Sequence, residues 1–171
     1  MKTKLDTILA IAALALIPVP ALADAGHGVI GRAGKSGAVD RTIEVSMTEM
    51  KFDPAVIDVA EGESVRFVVT NDGRNVHEFN LGTLSTWRGH AAEMRKMMQS
   101  GMMTMRKVRR DKMQAAGMTH DDPNSILLEP GETGEVIWTF SEVGEIGYGC
   151  NMPGHLEAGM KGDIAIKTGE G

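Results

Sequence analysis

The chain has one cysteine, few aromatics (4%) and only five histidines in 171 residues. A single thiol excludes an intramolecular disulfide framework, and with it any multi-thiolate zinc or iron–sulfur site. Whatever Cys150 does, it does alone or with partners that are not thiols. After the N-terminal segment there is no hydrophobic run long enough to cross a membrane, so no membrane span is expected. With 24% charged and 42% hydrophobic residues, the composition excludes a disordered chain and suits about one domain. The net charge of −5 argues against nucleic acid as a partner. What is plentiful is methionine, thirteen in all. Met serves as pliable core filler or as a soft metal ligand, and composition does not separate the two.

Residues 1–23 read as a secretory signal peptide. Lys2 and Lys4 precede an apolar run at 8–19, and Ala21-Leu22-Ala23 is a small-residue cleavage site, with Ala23-Asp24-Ala25 as an alternative. The expected location is periplasmic. Residues 24–40 are Gly-rich and low in apolar content, which reads as a flexible leader. Gly34-Lys35-Ser36 resembles part of a phosphate-binding loop, but the pattern needs Gly where Val29 stands. His27 in this leader is a minor candidate for holding Cu(II) together with a new N-terminus.

From 41 onward short alternating runs are separated by Gly turns. Strands are expected at 42–47, around Phe52, and at 56–59, 64–70, 76–81, 125–128, 134–140, 145–150 and 161–167. The fold class is therefore all-β, a sandwich or barrel, over 41–168. Residues 83–124 break this pattern and hold eight of the thirteen Met. They read as an insertion, helical from about Gly89 to Gln114, with Gly101 and Gly117 as weak points.

Toward the C-terminus, Cys150, His155 and Met160 follow at intervals of five residues. A second histidine, His77, lies far upstream on an expected strand. Two imidazoles, one thiolate and one thioether form the trigonal His2Cys set with a long axial Met that suits a one-electron copper centre. Strand parity agrees. His77 shares a face with Phe79 and Leu81, Cys150 with Ile146 and Tyr148, and Met160 with Ile164 and Ile166. Taken singly, each residue is better explained as a small buried hydrophobe, a satisfied core histidine or packing. Cys–His nucleophilic chemistry is the competing site reading, and it would need an accessible thiol of low pKa.

The segments Met50-Lys-Phe-Asp-Pro, Val76-His77-Glu78-Phe79 and Cys150-Asn-Met-Pro-Gly-His155-Leu-Glu-Ala-Gly-Met160 resemble the cupredoxins of the plastocyanin/azurin superfamily. The last is similar to the loop of rusticyanin-like and auracyanin-like members. The resemblance implies an eight-stranded Greek-key β-sandwich with type 1 copper at one end. It implies that His77, Cys150 and His155 bind equatorially and Met160 axially. It further implies that His155 is the ligand nearest solvent, ringed by an apolar collar of Met152, Pro153 and Leu156. In the family the N–H of the residue after the first His commonly bonds the Cys sulfur. Here that residue is Glu78, where Asn or Ser is frequent.

Within the insertion His90, Met94, Met97 and Met98, continued by Met102 and Met105, fall on a helical stripe, and His120 lies beyond it. Soft donors in a row suit Cu(I), so these are candidates for auxiliary copper; packing against the sandwich is the plainer reading. Residues 88–112 carry eight Lys/Arg against two Asp/Glu, a basic face on an acidic body. A Met-rich insertion on a type 1 fold resembles the periplasmic copper-tolerance cupredoxins. The expected function is thus copper handling with one-electron Cu(I)/Cu(II) cycling. The expected partners are copper ions or a redox protein such as a cytochrome or copper protein. The alternative is a dedicated electron carrier between respiratory partners. The chain reads as a binding and electron-transfer protein rather than an enzyme, with slow Cu(I) oxidation the one reaction left open.

Overall fold

The computed structural model describes residues 30–119 and 121–168. The signal segment, His27 and His120 lie outside the described residues. The strands are β1 (Arg32–Ala33), β2 (Arg41–Thr48), β3 (Lys51–Asp53), β4 (Val56–Ala60), β5 (Ser64–Asn71), β6 (His77–Gly82), β7 (Ser125–Leu128), β8 (Thr133–Thr139), β9 (Ile146–Gly149) and β10 (Lys161–Lys167). Two helices, α1 (Leu84–Gln99) and α2 (Arg110–Ala115), lie between β6 and β7. The strands form two five-stranded sheets, ordered β1-β8-β5-β2-β3 and β4-β10-β9-β6-β7. β2 runs parallel to β5 and β4 parallel to β10; the other pairs are antiparallel. This is the expected cupredoxin sandwich, with ten strand segments rather than eight.

Alternation builds the core. Val65, Phe67 and Val69 point inward from β5, and Phe79, Leu81, Tyr148 and Ile164 face them from the other sheet. The few aromatics are concentrated there. Phe79 stacks on Tyr148 at 5.3 Å, and Phe52 meets Tyr148 edge-on at 5.1 Å.

Two expectations change. Part of the segment read as leader is joined to the sheet. β1 pairs with β8, and Trp138 Nε1 donates to the Ile30 carbonyl. A two-residue strand has no alternation to announce it. The helix expected from Gly89 instead starts at Leu84. Thr83 caps it reciprocally with Thr86. It stops at Ser100, where Gly101 takes φ +68°, a conformation that favours glycine.

Along β6 all six residues are buried. One face looks into the sandwich. The other carries Glu78 and Asn80 and would face water, but α1 lies over it. Trp87 donates from Nε1 to the Asn80 carbonyl, and its ring rests on Gly149. A Cβ at Gly149 would come within 3.0 Å of two indole carbons, so glycine is what lets helix and sheet meet there.

Candidate metal centre

His77 opens β6, and Cys150 directly follows β9, the strand beside it. Antiparallel pairing of β6 with β9 brings the two to the same end of the sheet. The chain then turns tightly. The His155 N–H donates to the Met152 carbonyl, and Gly154 and Gly159 adopt φ +91° and +93°. The turn brings His155 back over the cysteine. Met160 closes the loop: its N–H donates to the His155 carbonyl, and its carbonyl accepts from the Cys150 N–H.

The result is a triangle of donors. His77 Nδ1 and His155 Nδ1 are 3.2 Å apart, and Cys150 Sγ lies 3.4 Å from His155 Nδ1 and 3.9 Å from His77 Nδ1. A point equidistant from these atoms is about 2 Å from each, close to the length of a metal bond to imidazole nitrogen or thiolate sulfur. His77, Cys150, His155 and Met160 are all buried, with Met160 fully enclosed.

Electrostatics favour a metal over a nucleophile. Burial pushes the Cys150 thiol up to about 12, outweighing the hydrogen bond from the Glu78 N–H. Burial, with His155 nearby, brings His77 down to about 4, and burial also lowers His155. An enclosed thiol of high pKa is no nucleophile, whereas two neutral imidazoles and a soft sulfur suit copper. The Glu78 N–H donates to Cys150 Sγ at 3.4 Å, the contact the family resemblance implied. Gly73 lies against the outer edge of His77, where a Cβ would come within 2.8 Å of Nε2.

The model of copper binding proteins of the plastocyanin/azurin family matches residues 39–167. The chain belongs to this family. Such a cupredoxin takes one type 1 copper ion, and the donor triangle fits it. The chain is 39% identical over 164 residues to the copper-resistant cuproprotein CopI of Pseudomonas aeruginosa, covering 89% of this chain and 91% of that protein. It is 37% identical over 169 residues to CopI of Rubrivivax gelatinosus, covering 90% and 92%. Auracyanin B superposes with a TM-score of 0.58 at 20% identity over 81% of this chain and 96% of its own, a likeness of fold.

Several expected features of this cupredoxin differ. His155 is only 1% exposed and Met152 is fully buried. The collar is therefore reduced to the half-buried Pro153 and Leu156, and no ligand edge is bare. Most of the Met stripe lies in or against the core. Met94 and Met97 lie in the hydrophobic core with Met103 and Met113, and Met98 and Met102 rest against it; Met105 is exposed. His90 is held by two carboxylates, Glu78 at 3.2 Å and Glu93 at 3.0 Å. Burial opposes its charge, but the hydrogen bonds and charges of Glu78 and Glu93 prevail and raise its pKa to about 9. A protonated imidazole offers a metal no lone pair. Part of the basic face is also spent internally. Lys107 pairs with Glu129 at 2.9 Å and Arg110 with Glu132 at 2.9 Å. Among the described residues no helix is long and apolar enough to cross a membrane.

The residue that sequence reasoning undervalued is Glu78. Its Oε2 accepts the N–H of Asn151, next to the cysteine, at 3.1 Å. The available signal was a carboxylate inside the Val76-His77-Glu78-Phe79 motif, at a position where a solvent-facing residue needs no partner.

Proposed function

We propose that this protein is exported to the periplasm and handles copper there. His77, Cys150 and His155 would hold the ion, and Met160 would supply a thioether donor. The observation that carries this is the enclosed triangle of two Nδ1 atoms and one Sγ, set by strand pairing and one tight loop. Copper supplies one-electron Cu(I)/Cu(II) chemistry at such a site. The chain supplies a soft thiolate, two imidazoles kept neutral, and a dry pocket, so that little has to move when charge changes. The copper-resistant cuproproteins of similar sequence support a role in copper tolerance. Burial of His155 weighs against a dedicated carrier, because a partner finds no exposed ligand ring to touch.

The test is a Cu(II) titration of the mature chain. The expected result is an intense visible thiolate-to-Cu(II) band saturating at one ion per chain and lost in Cys150→Ser. A band that survives that substitution would refute the assignment. In a host lacking its own copper-tolerance cupredoxin, the wild-type chain should restore growth in copper and Cys150→Ser should not.

A further inference from the structure

The outer face of β6 holds an arrangement that copper ligation does not use. Glu78 follows His77, so its side chain leaves the sheet on the side away from the donor triangle, under α1. It is fully buried. One oxygen, Oε1, lies 3.2 Å from His90 Nε2 and 3.4 Å from Asn80 Nδ2. The other accepts the Asn151 N–H at 3.1 Å. The backbone N–H of the same residue donates to Cys150 Sγ. His90 in turn reaches Glu93 Oε2 at 3.0 Å, where the helix meets water. A polar chain thus runs from the surface through Glu93, His90 and Glu78 to the peptide beside the cysteine.

Such a chain is expensive. Two charges taken out of water cost several kcal/mol each before their attraction returns any of it, and a helix that only packs would use Leu. On α1 the other inward residues are Trp87, whose indole N–H donates to the Asn80 carbonyl, and Met94 and Met97, which lie in the hydrophobic core. The inward ionic contact of His90 reaches Glu78, the residue whose backbone N–H meets Cys150 Sγ.

The geometry points to His90 as a positioning residue for the copper thiolate. From the insertion helix it holds Glu78, and through Glu78 the two N–H groups that fix the sulfur and the peptide after it. It also sets a positive charge against the Glu78 carboxylate near the ion. The inference rests on Cys150 being the copper thiolate. It makes the insertion part of the redox centre rather than an appendage.

Removing the cation should favour the more positive metal state. The experiment measures the reduction potential and the visible band of copper-loaded wild type and His90→Gln, with thermal unfolding of both copper-free proteins. Gln keeps a hydrogen bond to Glu78 without the charge. The expected result is about a tenfold shift of the equilibrium toward Cu(II), a potential lower by about 59 mV for one electron, with a displaced band. A lower unfolding temperature with potential and band unchanged would mean that His90 only fastens the helix, and would overturn the inference; so would a raised potential. Should His90→Gln not fold, Glu93→Gln removes the exposed carboxylate and leaves His90 held by Glu78. There the potential should rise by about a twofold shift toward Cu(I), and no change would again overturn the inference. Absence of the band in wild type would instead refute the copper thiolate itself, so the two failures are distinct.

Discussion

His90 Nε2 lies 3.2 Å from Glu78 Oε1, with the two side chains only 5% and 0% exposed. The pair links a helix of the insertion to the strand that carries His77. Its stability contribution has a definite sign with pH. The folded-state pKa of His90 is raised to about 9 by Glu78 and Glu93 against an ordinary 6.5. The contribution is therefore complete below about pH 6.5 and is lost as pH rises through 9. Urea unfolding of the copper-free protein should show a loss of up to roughly 3 kcal/mol between pH 6 and 10 beyond that of His90→Gln. Parallel pH profiles for the two proteins would contradict the pairing.

Copper uptake should release protons. At neutral pH the Cys150 thiol, raised to about 12, keeps its proton, while His77, lowered to about 4, is already free of one, and His155 is shifted the same way. Only the sulfur has a proton to give. About one proton should leave per ion, and apparent affinity should rise about tenfold per pH unit between pH 6 and 9. Calorimetric titration in buffers of different ionisation enthalpy counts it. A count near zero or near three would be inconsistent with these protonation states.

Met94 and Met97 should tolerate leucine. Both are core residues, and Met-to-Leu changes conserve volume, so each should cost less than about 1.5 kcal/mol. Copper per chain, measured by elemental analysis, should stay at one. A fall in bound copper in either variant would make these thioethers ligands after all.

Trp87 should be far less replaceable. Its ring fills the space over Gly82, Gly147 and Gly149. Trp87→Ala should cost about 3–5 kcal/mol in chemical unfolding. Gly149→Ala drives a methyl to 3.0 Å from two indole carbons and should cost about 1–3 kcal/mol. An unchanged midpoint in both would mean that this contact carries no weight.

The sandwich is legible in the sequence because alternation is a local property. Val65, Phe67 and Val69 announce β5, and the parity of His77 with Phe79 is enough to put that histidine on the inner face. The loop candidates Cys150, His155 and Met160 are legible because five-residue spacing survives without three-dimensional context. What stays hidden depends on contacts between segments. Glu78 and His90 are twelve residues apart and look like two solvated polar groups until the turn at Gly82 folds α1 over β6. The Met stripe has the same helical spacing whether it packs or ligates, and spacing alone does not reveal that Met94 and Met97 lie in the core. Burial of His155 likewise depends on the surrounding loops, which no motif encodes.

The separation of 73 residues between His77 and Cys150 also orders events in time. A chain emerging N-terminus first presents His77 early, with the insertion and three further strands still to be made before Cys150. The other two corners of the triangle arrive five residues apart, much later. A nascent or truncated chain ending before Cys150 lacks the β10 strand that joins β4 to β9 and owns a single imidazole of the triangle. The triangle is thereby complete only once the chain has reached residue 155.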